Sequence, residues 1–421
     1  MTPPASRRFT RDVLWNVASL GVAGVSGIAL NTLIGLIYGG AALGVFNQVF
    51  AAYIFFSQIA ALGVHHSALQ EIAASRDRAE RAASATSALL LAAALGILTA
   101  VAFALAAPLV AGLMSSDDVG TGMLHAVPAL LFFALDKVTL GCINGARRMR
   151  WYAVLSGSRF VFMLIAFAVC VAVDARPASL PVILGVAEFS TFVLSLAAMG
   201  GLLRRLPLAE VWRRARGHLV FGTKGFMSGV LAELNTRIDV LMLGYFFSDA
   251  VVGVYSFAAI IAEGLYQLLV VLRSNYAPLC ARLFAEGKLA ELTAMIRRGR
   301  DRTYLVAVPL AAAAIAVYLY LVPLILPRPL VIDSGPFFAV LLTGMAAASG
   351  YVPFSTILLT SRRPGWHTWL MLAVVAINIV ANGVLISTIG SLGAAVGTAI
   401  ALVSLIAILL VMSRRILGLP L

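Results

Sequence analysis

Eight ionisable side chains stand inside long apolar stretches of this sequence, and they are the residues with chemistry to offer. They are Asp136 and Lys137, Arg159, Glu188, Glu233, Arg237, Asp239 and Glu263. A charge at the centre of a bilayer costs at least about 2.5–3.5 kcal/mol on insertion scales. A residue kept there has a partner, a wet cavity or a function. Arginine and lysine bind anions such as phosphate, arginine through a planar fork and lysine as a point charge. A carboxylate at that depth is where a proton-coupled cycle would take up and release its proton; the alternative is a structural hydrogen bond.

Spacing constrains which of these can meet. Glu233 and Arg237 are four residues apart, so on a helix they share a face; they either neutralise one another or contact a substrate. Asp239 lies about 200° around the helix from Arg237 and needs another partner. Asp136 and Lys137 are adjacent, about 100° apart, and are poor mutual partners. Lys137 is close enough to the inner surface to snorkel. Arg159 sits about two turns inside its helix end, either snorkelling or facing a wet cavity. Glu188 and Glu263 have no basic residue near them along the chain.

The elements that must position these residues follow from composition. Of 421 residues, 61% are hydrophobic and 12% charged, with a mean hydropathy of +0.98. Soluble domains are roughly half apolar and about a quarter charged, so the excess belongs in a bilayer. A crossing helix needs about 20 mostly apolar residues. Twelve segments qualify: Val13–Tyr38, Phe46–Ser67, Ala83–Pro108, Gly122–Cys142, Tyr152–Val173, Ala178–Leu203, Leu219–Phe246, Val251–Leu272, Thr303–Leu326, Gly335–Thr360, Thr368–Thr388 and Leu392–Met412. The eight ionisable residues fall in the fourth to eighth of these. That is the pattern expected of a polar pathway.

The net charge of +13 is distributed by side. With the N-terminus inside, both tails and the even-numbered connections hold 26 of the 31 Lys and Arg; the odd-numbered connections hold only Arg176 and Arg328. By the positive-inside rule both termini are cytoplasmic. The basic residues therefore mark loops, and no nucleic-acid motif accompanies them. The basic N-terminal tail runs straight into a long apolar stretch and reads as a tail leading into the first span, not a cleaved signal.

Half the spans precede the basic 204–224 connection and half follow it. The expected fold is all-α, with two six-helix lobes at 1–203 and 225–421 joined by that cytoplasmic connection. A faint echo supports tandem halves: Ala-Leu-Gly-Val-Phe at 42–46 and Val-Val-Gly-Val-Tyr at 251–255. A second, Leu-Asn-Thr at 30–32 and 234–236, is out of register with it. The longest cytoplasmic connection, 282–302, places Ala285, Leu289, Leu292 and Ile296 at helical spacing opposite basic residues, and so reads as a helix lying in the inner interface.

Other chemistry is absent from the pattern. Cys142, Cys170 and Cys280 are far apart and form no metal-ligand spacing. His65 and His66 have no metal spacing either. There is no phosphate-cradling glycine loop and no nucleophile elbow. No cofactor, metal or enzymatic activity is expected.

Several stretches resemble the polysaccharide-transporter branch of the exporter superfamily that also contains multidrug extruders. They are Arg-Asp-Val-Leu-Trp-Asn-Val-Ala-Ser at 11–19, Ala-Leu-Gly-Val-Phe-Asn at 42–47, Gln-Ile-Ala-Ala-Leu-Gly-Val at 58–64, and Asn-Gly-Ala-Arg-Arg-Met-Arg-Trp-Tyr at 144–152. The most specific is the stretch 237–256, from Arg237 to Ser256, which matches the usual start of the second half. The resemblance implies a twelve-helix, two-lobed protein of the bacterial inner membrane. Such a protein flips a lipid-linked oligosaccharide for O-antigen, capsule or exopolysaccharide assembly. It further implies partnership with membrane lipids, a polysaccharide polymerase and chain-length machinery. On that reading Arg159, Arg237 and Lys137 draw in the anionic diphosphate, and Glu188, Glu233, Asp239, Glu263 and Asp136 line the cavity or carry coupling. The alternatives are a cation-coupled multidrug exporter of the same superfamily and, more distantly, a membrane-embedded glycosyltransferase or polymerase. The latter usually needs larger outer loops than the roughly ten-residue ones here.

Overall fold

A computed structural model describes residues 3–75, 77–326 and 328–420; for 3–14, 16–17, 224–225, 228–229 and 232 it describes the backbone alone. Arg76, and the side chains of Arg7, Arg8, Arg11, Asn16 and Lys224, thus lie outside the described residues. Apolar side chains can face lipid only if the backbone satisfies its own hydrogen bonds, which a helix does within one segment. Every regular element among the described residues is accordingly helical. In chain order they are α1 (Pro3–Ile37), α2 (Gly40–Ala61), α3 (Val64–Ala74), α4 (Arg78–Leu113), α5 (Asp117–Gly145), α6 (Met149–Ala172), α7 (Val182–Met199), α8 (Leu208–Phe246), α9 (Asp249–Ala285), α10 (Leu289–Ala316), α11 (Val322–Ile325), α12 (Pro329–Ala348), α13 (Ile357–Thr360), α14 (Pro364–Ile389) and α15 (Leu392–Leu417).

Among the described residues, eleven helices are long and apolar enough to cross a membrane. They coincide with eleven of the twelve expected segments, and the protein is an all-α polytopic membrane protein. The remaining segment, Leu219–Phe246, is the second part of α8. At 39 residues α8 has ample length, since a span takes about 20. What distinguishes it is the crowding of Glu233, Arg237 and Asp239 into two turns.

Several segments end or break differently from the apolar pattern, each for a local reason. The second expected span stops at Ala61, where Leu62 and Gly63 take left-handed φ values of 36° and 69°, and the chain restarts as α3. A Cβ on Gly63 would lie 2.8 Å from the Gly222 carbonyl oxygen, so this turn requires glycine on both counts. The tenth breaks after Ala348 into a 3-10 turn at Val352–Phe354, around Pro353. By contrast α5 and α10 continue through Pro128 and Pro309. The interfacial helix expected over 282–302 does not exist as a separate element. α9 and α10 extend past the apolar region and meet at a turn through Gly287, with Leu292 and Ile296 buried. Ala285 and Leu289, on the same expected face, are exposed.

The chain forms two compact units, Met1–Leu33 with Val45–Val230, and Ile34–Gly44 with Leu231–Leu421. In the first, α3, α4 and α5 enclose a core of Val64, Ala68, Ile72, Ala88, Val138 and Ile143. Gly141 and Gly145 of α5 let the α3 backbone approach at His65 and Leu69. In the second, Leu292, Ile296, Val352, Phe354, Leu370 and Leu405 are central. The echoed motifs meet there: a Cβ on Gly44 would strike the Asp249 carbonyl, and one on Gly253 the Gly40 carbonyl. Gly40, Gly44 and Gly253 permit this approach, as small residues do where apolar helices pack without a hydrophobic driving force.

Orientation is open to a direct check. Single cysteines at Asp118, Asp174 and Asp333 react with an impermeant thiol reagent added outside, and cysteines at Arg205 and Arg363 do not. The native Cys142, Cys170 and Cys280 are buried and leave little background. The opposite labelling pattern overturns the assignment of both termini to the cytoplasm.

Candidate functional site

Each unit brings some of the eight ionisable residues together around an arginine. In the first unit α6 carries Arg159 and α7 carries Glu188, with Nε of Arg159 3.3 Å from Oε1 of Glu188. Their side chains are 18% and 4% exposed, so the carboxylate is sealed and the guanidinium is not. Tyr53, from α2, donates its hydroxyl to the same Oε1 at 2.8 Å. Arg159 lies 5.4 Å from the Phe133 ring centroid, and Lys137 lies 5.1 Å from it. That face holds cations by its quadrupole. Tyr53 packs edge-on against the same ring.

Asp136 completes this group. It is fully buried, and its Oδ1 accepts from Ser195 Oγ at 3.2 Å, which in turn contacts Thr139 Oγ1 at 2.8 Å. Neither Oδ2 of Asp136 nor Oε2 of Glu188 has a hydrogen-bond partner. Buried polar atoms are rarely left so.

In the second unit α8 supplies Arg237 and α9 supplies Glu263. Nη2 of Arg237 donates to Oε2 of Glu263 at 3.1 Å, with side chains 18% and 28% exposed. The carboxylate that pairs with Arg237 is therefore Glu263, twenty-six residues away, and not the i−4 neighbour Glu233, which is exposed. Asp239 turns away from Arg237, as helical phase requires. Its Oδ1 accepts from the Val240 amide at 2.8 Å; its Oδ2 accepts from the Tyr255 hydroxyl and from Thr398 Oγ1, the latter at 3.2 Å. Beside these, Asn378 donates to Asn235 Oδ1 at 3.0 Å and accepts from Asn382.

The two carboxylates that lack a basic neighbour in sequence, Glu188 and Glu263, are thus the two that hold the arginines. The sequence reading missed Tyr53, Phe133, Ser195, Tyr255 and Thr398 as members of these clusters. The available signal was a tyrosine hydroxyl in the middle of an apolar span, since a buried Tyr hydroxyl needs a partner. Among the described residues no group of three or more His, Cys, Asp or Glu could hold a metal ion.

Each unit therefore presents one guanidinium at membrane depth, tethered to one carboxylate and partly accessible. An arginine has five N–H donors, more than one carboxylate can take up.

The fold is that of known transporters. A lipid II flippase, MurJ, in an inward closed conformation superposes with a TM-score of 0.77 at 12% identity, over 96% of this chain and 88% of that one. An inward-facing multidrug resistance MATE family transporter of the MOP superfamily gives 0.76 at 14% identity, over 97% and 95%. An outward-facing MATE family transporter of the same superfamily gives 0.59 at 13% identity, over 97% and 96%. At such identities these likenesses establish fold alone. Comparison with curated proteins returned no match. A profile of the family described as "Polysaccharide biosynthesis protein" matches residues 9–283, well over half the chain and including all eight ionisable residues. On that match the chain belongs to the polysaccharide biosynthesis protein family.

Proposed function

We propose that the protein is a flippase that carries an isoprenoid-diphosphate-linked oligosaccharide from the inner to the outer leaflet of the bacterial inner membrane, for assembly of a cell-surface polysaccharide. The observation that carries this reading is the pair of tethered arginines, Arg159 with Glu188 and Arg237 with Glu263, in a member of a polysaccharide family. A diphosphate that approaches either guanidinium competes with its carboxylate. The carboxylate keeps the empty site neutral; the substrate displaces it and is released when it returns. Lys137, over the same ring as Arg159, adds a further cation for the first of these exchanges. Charge-assisted contacts of this kind contribute about 1.5–3 kcal/mol each. A hydrated glycan crosses along the polar path while the isoprenoid tail stays in lipid. A polysaccharide polymerase and chain-length machinery would act on the product outside.

The fold likeness to multidrug transporters supports a second reading, a cation-coupled exporter of drugs. The same assay separates the two. Purified protein in liposomes loaded with a lipid-linked oligosaccharide in the inner leaflet exposes the glycan to an external glycosidase. Protein-free liposomes do not. If the glycan stays protected while a cationic dye is moved down an ion gradient, the exporter reading replaces the flippase.

A further inference from the structure

The first unit holds a further cluster of arginines, none of them a member of the Arg159–Glu188 pair. Arg78 and Arg81 stand on the first turn of α4, Arg148 is the residue before α6, and Gly200 and Gly201 follow the end of α7. Together Arg78, Arg81, Arg148, Gly200, Leu202 and Ala146 line a pocket of about 360 Å³. That is within the range of small-molecule pockets, roughly 300–1,000 Å³, and larger than a bare ion needs.

The pocket is built, not incidental. Arg81 is fixed by two hydrogen bonds, from Nε at 2.9 Å and Nη2 at 2.7 Å, to the Ser75 carbonyl. Arg148 donates from Nη1 to the Ala198 carbonyl at 2.7 Å. The α7 terminus bends away through two left-handed glycines, with φ of 57° and 78°. A Cβ on Gly200 would lie 3.1 Å from the Arg148 guanidinium, and one on Gly201 3.4 Å from that of Arg78. The following segment is tied to α4 by the Arg204 amide, which donates to Thr86 at 3.0 Å.

Among the described residues none of the three arginines forms an ion pair. The acids adjacent in sequence take other partners: Asp77 accepts from the Ala79 amide and Glu80 from Ser75 Oγ. Arg78 makes no hydrogen bond within the chain among the described residues, so all its donors are free. Three guanidiniums around one cavity repel one another unless an anion joins them. Planar forks of this kind match phosphate oxygens. The lining residues sit at the ends of three spans, and basic clusters flanking spans meet anionic lipid.

We propose that this pocket binds the phosphoryl headgroup of a lipid in the cytoplasmic leaflet. The proposal rests on the pocket's own arginines and not on the Arg159 or Arg237 pairs. A phosphodiester of a resident phospholipid and the diphosphate of a lipid-linked sugar offer it the same oxygens.

The test uses the full chain in nanodiscs of phosphatidylcholine with a minor fraction of phosphatidylglycerol, with retained lipid counted by native mass spectrometry after extraction. Wild type retains phosphatidylglycerol. Arg78→Gln, which breaks no hydrogen bond of the scaffold, lowers that retention about tenfold or more. Arg81→Gln/Arg148→Gln does the same, and Arg362→Gln/Arg363→Gln, equal in charge removed but outside the pocket, does not. Adding an undecaprenyl diphosphate lipid identifies the source: displacement of phosphatidylglycerol assigns the pocket to substrate capture, and coexistence assigns it to the phospholipid. Equal retention by wild type and Arg78→Gln overturns the proposal, as does an equal loss in Arg362→Gln/Arg363→Gln, which would show diffuse charge attraction only. Failure of the flipping assay would leave this binding result unchanged.

Discussion

Replacing Arg237 by alanine lowers outward flipping by about 10- to 100-fold, the loss of one charge-assisted contact to a phosphate, with the protein still present in the membrane. Arg237→Lys recovers part of it, because the charge remains but the planar fork does not. Glu263 is 28% exposed, so water stabilises it when its partner is gone. Arg159 is a harder case. Its alanine variant leaves Glu188, 4% exposed, as a buried charge without a cation, a defect that costs about 3–5 kcal/mol in other proteins. Loss of Arg159→Ala from the membrane would therefore say nothing about transport. The informative variant is Arg159→Gln/Glu188→Gln, which removes both charges and keeps hydrogen-bonding groups for Tyr53. It is expected at near wild-type level in the membrane and without flipping activity. Normal flipping by the double variant, measured as glycan exposed to an external glycosidase, removes Arg159 from the transport path and leaves its pair with Glu188 as a structural contact.

The same two pairs show what a sequence can and cannot disclose about a membrane protein. Span positions were legible because insertion imposes them locally: apolar length is a property of consecutive residues. The ionisable residues were legible as a set for the same reason, since each violates the apolar rule where it stands. Their pairing was not. Arg159 and Glu188 are on α6 and α7, and Arg237 and Glu263 on α8 and α9, so which carboxylate meets which guanidinium depends on helix rotation and crossing. Helical phase alone favoured Glu233 for Arg237, because i,i+4 neighbours are the one contact that sequence spacing specifies. Packing overrode it. Phase did succeed for Asp239, placing it on the face away from Arg237, where Tyr255 and Thr398 meet it. The glycines of the echoed 42–46 and 251–255 motifs were visible as a repeat, but their mutual contact was not, because symmetry-like sequence says nothing about which surfaces touch. Break points were partly legible: Gly63 and Pro353 mark real interruptions, whereas Pro128 and Pro309 sit inside continuous helices.

An inside-negative membrane potential accelerates outward flipping without any pH gradient. A bacterial inner membrane is negative inside, and each elementary charge crossing 100 mV gains about 2.3 kcal/mol. A lipid diphosphate carries its negative charge outward. With two charges the drive is about 4.6 kcal/mol, a bias of roughly three decades in the leaflet distribution, since about 1.4 kcal/mol is tenfold. The arginines do not cancel this drive, because each returns to its own carboxylate after release and makes no net crossing. The experiment is a potassium–valinomycin gradient across liposomes whose lumen faces the cytoplasmic side of the protein, with glycan exposure followed at equal pH on both sides. Glu263→Gln tests the competing source of energy. It removes a carboxyl that a proton-exchange cycle would need, while the potential acts on the substrate alone, so the variant should keep its potential dependence even if its maximal rate falls. Glu188 is a poorer probe, because it anchors both Arg159 and Tyr53. Flipping that ignores the potential, responds to a pH gradient and stops in Glu263→Gln would reject the charge-driven account. Proton exchange would then have to run through Glu263.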